Sequence, residues 1–199
     1  VLHDNVKEYI KSADKSTAPD AKPFTMYELN EAIRRLKAHK SPGPDGIRNE
    51  FIIHSSRPVR QVFLHLANAI WETGTMPVAF KKSTILPFLK PDKPADDPSS
   101  YRPIELTSCL CKLIERMVVN RLSYRLESSG TISFCQSGFR SGRSTEDPLM
   151  RLIAQVTLGF EALPALRTVI AQLDLESAYN CVEHYKLLDI FRQLGIPPV

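Results

Sequence analysis

The spacing of apolar residues along the chain predicts helices alternating with short strands. Thr25-Met26-Tyr27-Glu28 sets a hydroxyl and a carboxylate three residues apart, the spacing of a capping box. Leu29, Ile33 and Leu36 follow on one helical face, with Lys37, His39 and Lys40 expected in the last turn, where cations suit the helix dipole. The prolines and glycines of Ser41-Pro42-Gly43-Pro44-Asp45-Gly46 then stop the helix. A second helix is predicted over 58–72, where Val59, Val62, Phe63, Leu66, Ala67 and Ile70 keep a helical period, closed by Gly74 and Pro77. Residues 83–89 and 101–107 read as strands of a hairpin, with Pro87 pointing to an edge and a turn-rich stretch over 90–100.

A third helix near 109–127 takes Leu110, Leu113, Ile114, Met117, Val118 and Leu122 as its apolar stripe. Lys112, Arg116 and Arg125 sit on its outer face and Gly130 just past its end. A fourth helix fits 146–161, with Pro148 in its first turn and Leu149, Leu152, Ile153 and Val156 facing inward. Residues 168–175 are nearly continuous in apolar side chains, as a buried strand would be. A last helix is predicted over 183–194, and the polar residues 1–23 read as a loose lead-in.

Composition narrows the class without naming a function. Hydrophobic residues are 43% and charged residues 24% of the 199, enough for a core and too apolar for a disordered chain. A net charge of +4 leans slightly toward an acidic partner such as nucleic acid, and fits an ordinary surface equally well. The cysteines at 109, 111, 135 and 181 form no C-x-x-C pair, and Cys181 with His184 lacks two further ligands, so reduced thiols are expected rather than structural zinc. No signal peptide or membrane-spanning run is legible, so no membrane partner is expected. Opening on Val1 and closing on Val199, the chain reads as a piece of something longer.

Asp174 ends the predicted buried strand, where a carboxylate is costly unless paired, hydrogen-bonded or metal-bound. Metal binding or catalysis is one reading; an N-cap or salt-bridge role is the other. Tyr179 is a core residue by type, or a ring in the turn over Asp174 that stacks on a sugar or base. Gly138-Phe139-Arg140-Ser141-Gly142-Arg143 combines cations with glycines that let a backbone approach a nucleic-acid strand, and reads otherwise as a solvated basic loop. Lys112, Arg116 and Arg121 could track phosphates or simply form a wet helix face.

The order of five segments carries more. KSPGPDGI (40–47), ILPFLKPDKPADDPSSYRPIELTS (85–108), KLIERMVVNRL (112–122), QSGFRSGRSTED (136–147) and AQLDLESAYNCV (171–182) together resemble the reverse transcriptase of non-LTR retrotransposons, the LINE or jockey-like type. The resemblance implies an α+β, right-hand polymerase fold. Residues 1–79 would be an N-terminal helical extension, 80–165 the fingers and 166–199 the start of the palm. It implies RNA-directed DNA polymerase activity with two Mg2+ or Mn2+ ions, on an RNA template, a DNA primer and deoxynucleoside triphosphates, in the nucleus and cytoplasm. Asp174 matches the first catalytic aspartate and a metal ligand, with the Leu175 carbonyl completing that shell. Tyr179 matches the aromatic gate under the incoming sugar, Arg102 the arginine that grips the triphosphate, and Lys90 a second phosphate contact. Arg143 belongs to the nucleotide surface; Gln136, Phe139, Arg140, Lys112 and Arg116 to the nucleic-acid surface. The planar guanidinium fork and the lysine point charge both suit phosphate.

Two departures qualify the match. The family's second carboxylate pair, in an aromatic-x-Asp-Asp hairpin, does not follow Asp174 within these residues, and Asp96-Asp97 upstream lies in a proline-rich turn. The chain is therefore expected to be truncated before the second catalytic hairpin and inactive alone. Asn180 stands where the family has aspartate, a substitution that keeps capping ability and loses charge. The runner-up is a non-catalytic nucleic-acid-binding module derived from a degenerate or domesticated reverse transcriptase; a group II intron maturase shares the polymerase fold and fits the motifs less well. A palm strand without its sheet partners should expose apolar surface and self-associate.

Overall fold

In the computed structural model, residues 2–12, 21–162, 164, 166–175, 178, 179 and 181–196 are described. The architecture is mixed: helices α1 (Leu2–Ser12), α2 (Met26–Arg34), α3 (Asn49–Ile53) and α4 (Arg57–Thr73), strands β1 (Ser83–Leu89) and β2 (Tyr101–Thr107), then α5 (Cys109–Ser128), α6 (Glu146–Glu161) and α7 (His184–Gln193). Two compact units divide it: Val1–Arg121 with Leu188–Val199, and Leu122–Leu187. This partition by compactness differs from the expected functional cuts at 79/80 and 165/166.

Local signals explain most elements of the first unit. The Thr25 hydroxyl accepts from the Glu28 N–H at 3.3 Å and the Glu28 carboxylate accepts from the Thr25 N–H at 2.8 Å, so the capping box is formed and two orphan donors of α2 are satisfied. Pro58 sits in the first turn of α4, and Gly74, at φ 62°, caps it in the left-handed region open to glycine. β1 and β2 pair antiparallel with Pro87 opposite Pro103, which a two-stranded sheet tolerates because both strands are edges. Leu110, Leu113, Ile114 and Met117 of α5 bury against Phe24, Leu29, Ala32, Ile33, Ile52 and Ala67, making one core from α2, α3, α4 and α5. Leu113 and Met117 are fully buried, stabilising by about 1.5–3 kcal/mol each.

One residue joins α5 to the N-terminal helices through polar contacts. Arg121 donates through Nε to Glu28 at 2.6 Å and through Nη2 to Glu28 at 3.0 Å and to the Pro23 carbonyl at 3.0 Å. Its guanidinium lies 4.1 Å from the Phe24 ring centroid and 5.5 Å from that of Trp71. Burial pushes the Glu28 carboxyl up, but hydrogen bonds from Arg121 and Thr25 outweigh it and hold it below its ordinary value. Arg121 is thus a structural clamp rather than a free cation for phosphate; its partner lies 93 residues away, which no local pattern could reveal.

The connection from α2 to α3 is locked by a backbone approach. A Cβ on Gly43 would stand 2.5 Å from the Ser108 nitrogen and the Thr107 carbonyl carbon, where β2 passes into α5. Glycine is required there for close packing, not for a special dihedral.

Four expectations are corrected. Residues 2–12 are helical rather than loose, with Val6 buried. α2 ends at Arg34, so Lys37, His39 and Lys40 lie beyond its last turn: the Lys37 carbonyl accepts from the Asn49 side chain at 2.8 Å and the His39 N–H donates to Glu50 at 2.6 Å. Leu149, Leu152 and Ile153 of α6 are exposed rather than inward. Residues 168–175 form no strand and are exposed, Val169 at 90% and Leu173 at 91%. A strand exists only by pairing, and the two strands among the described residues pair with each other.

Three outcomes are expected. Arg121→Ala should cost about 2–3 kcal/mol in urea unfolding, because one substitution removes both the charged hydrogen bonds and the stacking on two rings. Because the Glu28 pKa is depressed on folding, its contribution is present above the ordinary carboxylate range and is lost as pH falls through the depressed value; Arg121→Ala should shrink that acid limb, leaving the part that comes from Thr25. Light scattering should find the chain self-associating, driven by the apolar side chains of α6 and 168–175; a monodisperse monomer would count against it.

Candidate functional site

The hairpin presents two candidate phosphate contacts at one end. Arg102 stands directly opposite Phe88, and Lys90 follows two residues after Phe88, so the pleat sets both on the face that carries Phe88. The ladder extends one step beyond the strands, the Lys90 N–H donating to the Ser100 carbonyl at 2.8 Å. Arg102 is exposed. The Lys90 ammonium donates to the Ser99 carbonyl at 2.8 Å, which holds it beside the 90–100 turn. In that turn Asp97 accepts from the Ser99 N–H and hydroxyl at 2.8 and 2.7 Å, bonds that hold its carboxyl below the usual range. Asp96 and Asp97 are exposed turn residues, as the proline-rich context predicts. On α5, Lys112 and Arg116 are both exposed.

The second unit holds the other candidates. Its loop after α5 starts at Gly130, φ 66°, where the Thr131 N–H returns to the Leu126 carbonyl and ends the helix. Arg140 is engaged inside this loop: Nε and Nη2 form a fork onto the Glu127 carboxylate at 2.7 and 2.5 Å, and Nη1 reaches the Ser133 and Gln136 carbonyls at 2.9 and 3.1 Å. The fork from Arg140 holds the Glu127 carboxyl down and raises the guanidinium in turn. Arg140 therefore shapes the loop that carries Gln136 and Phe139. Gln136 is exposed, its amide only 3.5 Å from the Gly138 carbonyl. Arg143 lies 5.0 Å over the Phe134 ring and Arg151 4.7 Å from the same ring, so one aromatic carries two cations.

The structure brings Phe139 and Tyr179 together. Their ring centroids are 6.4 Å apart at 85°, an edge-to-face pair. Phe139 is 98% exposed and holds φ 60°, a left-handed conformation that costs a bulky residue about 1–3 kcal/mol and recurs at functional sites. Tyr179 is 78% exposed, so the two rings form an open aromatic corner rather than core. Asp174 is exposed, in contrast to the buried strand end expected for it, and the Leu175 carbonyl adjoins it in sequence. Asn180 lies outside the described residues.

An exposed carboxylate beside a carbonyl is a hard-oxygen donor pair of the kind Mg2+ takes. Among the described residues no group of three ligating side chains exists, so Asp174 would be one protein ligand to an ion otherwise held by water and phosphate. Among the described residues the thiols belong to no group of metal ligands; Cys109 and Cys111 are buried, and burial with the Glu115 carboxylate pushes the Cys111 thiol up to about 11, leaving it protonated. No described helix is long and apolar enough to cross a membrane.

The reverse transcriptase (RNA-dependent DNA polymerase) family model matches residues 88–199, a span that takes in Lys90, Arg102, the 136–143 loop, Asp174 and Tyr179. The chain belongs to the reverse transcriptase family. Its kin are those of non-LTR retrotransposons, and it is similar to three proteins of Drosophila melanogaster. A probable RNA-directed DNA polymerase from transposon BS is 36% identical over 89% of this chain and 19% of the relative. A probable RNA-directed DNA polymerase from transposon X-element is 32% identical over 88% and 19%. The RNA-directed DNA polymerase from mobile element jockey is 30% identical over 97% and 21%. The chain thus spans about a fifth of the length of these curated relatives. Reverse transcriptase membership implies a polymerase fold and divalent-metal use, and does not favour the non-catalytic binding module.

Glu127 and Phe134 support the loop without any signal in the sequence. An acidic residue near the end of a helix, thirteen positions before an arginine, carries no motif, and only the fold shows the fork. Arg140→Ala should speed amide exchange across 133–141 by about tenfold, as a locally opened segment does. Because the Glu127 pKa is depressed by Arg140, wild-type protection should persist through the ordinary carboxylate range and fail only as pH falls through that lower value.

Proposed function

We propose that these residues are the fingers and the opening of the palm in an RNA-directed DNA polymerase, and that the parent chain extends a DNA primer on an RNA template. The observation that carries this reading is the family match over residues 88–199, which takes in the end of β1, all of β2, the basic loop and Asp174. The exposed Arg102 and the neighbouring Lys90 fit the polyanionic tail of a deoxynucleoside triphosphate, the fork binding two oxygens and the ammonium one. Positioning and charge are most of what such a transfer asks of a protein. The exposed Phe139–Tyr179 corner suits stacking on a sugar or base, and Tyr179 is assigned the exclusion of a 2′-hydroxyl. Arg143, braced on Phe134, adds a cation to the nucleotide side, and Arg140 keeps the loop in shape.

When bound, two Mg2+ or Mn2+ ions would activate the primer hydroxyl and stabilise the leaving pyrophosphate. Asp174 and the Leu175 carbonyl would hold part of that shell. The remaining carboxylates are assigned to an aromatic-x-Asp-Asp hairpin, which these 199 residues do not contain after Asp174. The setting is the nucleus and cytoplasm, where the element RNA and the target DNA are found.

The isolated 199 residues should give no template-dependent product with either metal ion. In the parent chain, Asp174→Ala should lower primer extension by on the order of a thousandfold, equivalent to about 4 kcal/mol of lost charge stabilisation. Tyr179→Ala should raise ribonucleotide incorporation while leaving primer binding unchanged. A parent whose extension survives Asp174→Ala would overturn the assignment of that carboxylate.

A further inference from the structure

We propose that Ser41 is a phosphorylation site, modified by a kinase that selects a proline after the serine, and that its phosphate docks on five cations lining the groove beside it. Ser41 lies before residue 88, where the family match begins, and the inference stands apart from the polymerase reading.

The chain itself supplies the first argument. Ser41-Pro42 is the one Ser-Pro step in the sequence, and no Thr-Pro step occurs. A residue before proline is biased away from the helical region toward extended backbone, the form in which a kinase takes its substrate. Ser41 belongs to no helix or strand and is exposed. Its hydroxyl takes part in no hydrogen bond among the described residues.

Charge is the second. Ser41 lines a groove of about 540 Å3 in the first unit, to which Arg35, Lys37 and Lys40 come from the segment after α2 and Lys112 and Arg116 from α5. All five cations are exposed, and none forms an ion pair among the described residues. The one carboxylate on the groove, Glu105 of β2, already accepts from the Ser83 hydroxyl at 3.4 Å. Asp45, the nearest acid along the chain, accepts from the Ile47 N–H at 3.1 Å. Like charges gathered without a counter-charge repel one another. A phosphate on Ser41 would bring about −1.5 to −2 charges and three acceptor oxygens to them, with two guanidinium forks shaped to take those oxygens.

Position is the third. The backbone is anchored on both sides of Ser41: the Lys37 carbonyl accepts from the Asn49 amide at 2.8 Å, the His39 N–H donates to Glu50 at 2.6 Å, and Gly43 lies against the Thr107–Ser108 backbone. A phosphate on Ser41 therefore starts at the groove, and little chain entropy is lost when it docks. In the transfer the Ser41 hydroxyl oxygen bonds the γ-phosphorus of ATP, the bond from that phosphorus to the bridging oxygen breaks, ADP leaves, and the hydroxyl proton passes to the kinase's base. The product keeps its fold and loses most of the free positive charge on this face, so its affinity for any polyanion falls with modification.

The test uses the full 199-residue chain. Incubation with a Ser-Pro-directed kinase and Mg-ATP should add one phosphate, mapped to Ser41 by peptide mass spectrometry and abolished by Ser41→Ala. Phosphoserine placed at position 41 during translation then tests the docking by 31P NMR titration at low salt. Its second pKa, ordinarily about 6, should lie about half a unit to one unit below that of the same phosphoserine in a peptide of residues 36–46. The peptide keeps Lys37 and Lys40 and lacks α5, so the difference reports the fold. Lys112→Ala with Arg116→Ala should remove at least half of it, and added salt should shrink it. The phosphorylated chain should leave a heparin column at lower salt than the unmodified one. No phosphate at Ser41 in the folded chain overturns the site. A second pKa equal to the peptide's, or unmoved by the α5 double variant, overturns the docking, and unchanged heparin elution overturns the switch. None of these readouts depends on whether the parent extends a primer.

Discussion

The guanidinium of Arg121 holds α5 to the N-terminal helices, and the surfaces of the first unit hang from that joint. Its partners are within the fold: Glu28 and the carbonyls of Lys22 and Pro23 accept from its donors, and the Phe24 and Trp71 rings lie against it. A cation largely withdrawn from water in this way is stabilising because its charge and four of its N–H donors are met by protein acceptors. The consequence is positional. β2 runs directly into α5, so fixing α5 fixes the hairpin register, and with it Arg102 and Lys90. Gly43 then brings the 35–43 segment to the same junction by direct backbone contact.

What is legible in the sequence is what depends on near neighbours. The capping box of α2, the glycine ends of α4 and α5, and the paired prolines of the hairpin are each specified within a few residues. The end of α2 is not legible, because Lys37, His39 and Lys40 look like a helix's last turn while their backbone bonds instead to Asn49 and Glu50. The segment 168–175 fails for the same reason at larger scale. Its apolar run has the composition of a buried strand, but a ladder needs a second backbone, and no local pattern supplies one. In α1 the helical stripe is short and set among polar residues, so Val6 gives little sign of being buried.

The candidate site divides along the same line. Its membership is legible through motif order, since family resemblance compares residue types in sequence. The arginines show what motif order leaves out. Arg121, Arg140 and Arg102 are chemically identical, and in sequence each reads as a cation for phosphate. One closes the core onto Glu28, one folds a loop onto Glu127, and one is exposed on a hairpin. Whether a carboxylate lies within reach decides the role, and that distance is a property of the fold.

Exposure then sets what Asp174 can do. In water a single carboxylate attracts a divalent ion 4 Å away by about 2 kcal/mol, against about 8 kcal/mol at the lower effective dielectric near a protein surface. The carboxylate as it stands, exposed and without two further ligands among the described residues, lies at the weak end of that range. If Asp174 holds a metal, as proposed, the affinity must come from what covers it, further oxygen ligands that lower the local dielectric and add charge. The opposite holds at the hairpin, where the strand ladder sets Arg102 and Lys90 in advance of any ligand. On the proposed reading, a site of this kind is completed by its substrates rather than built in advance.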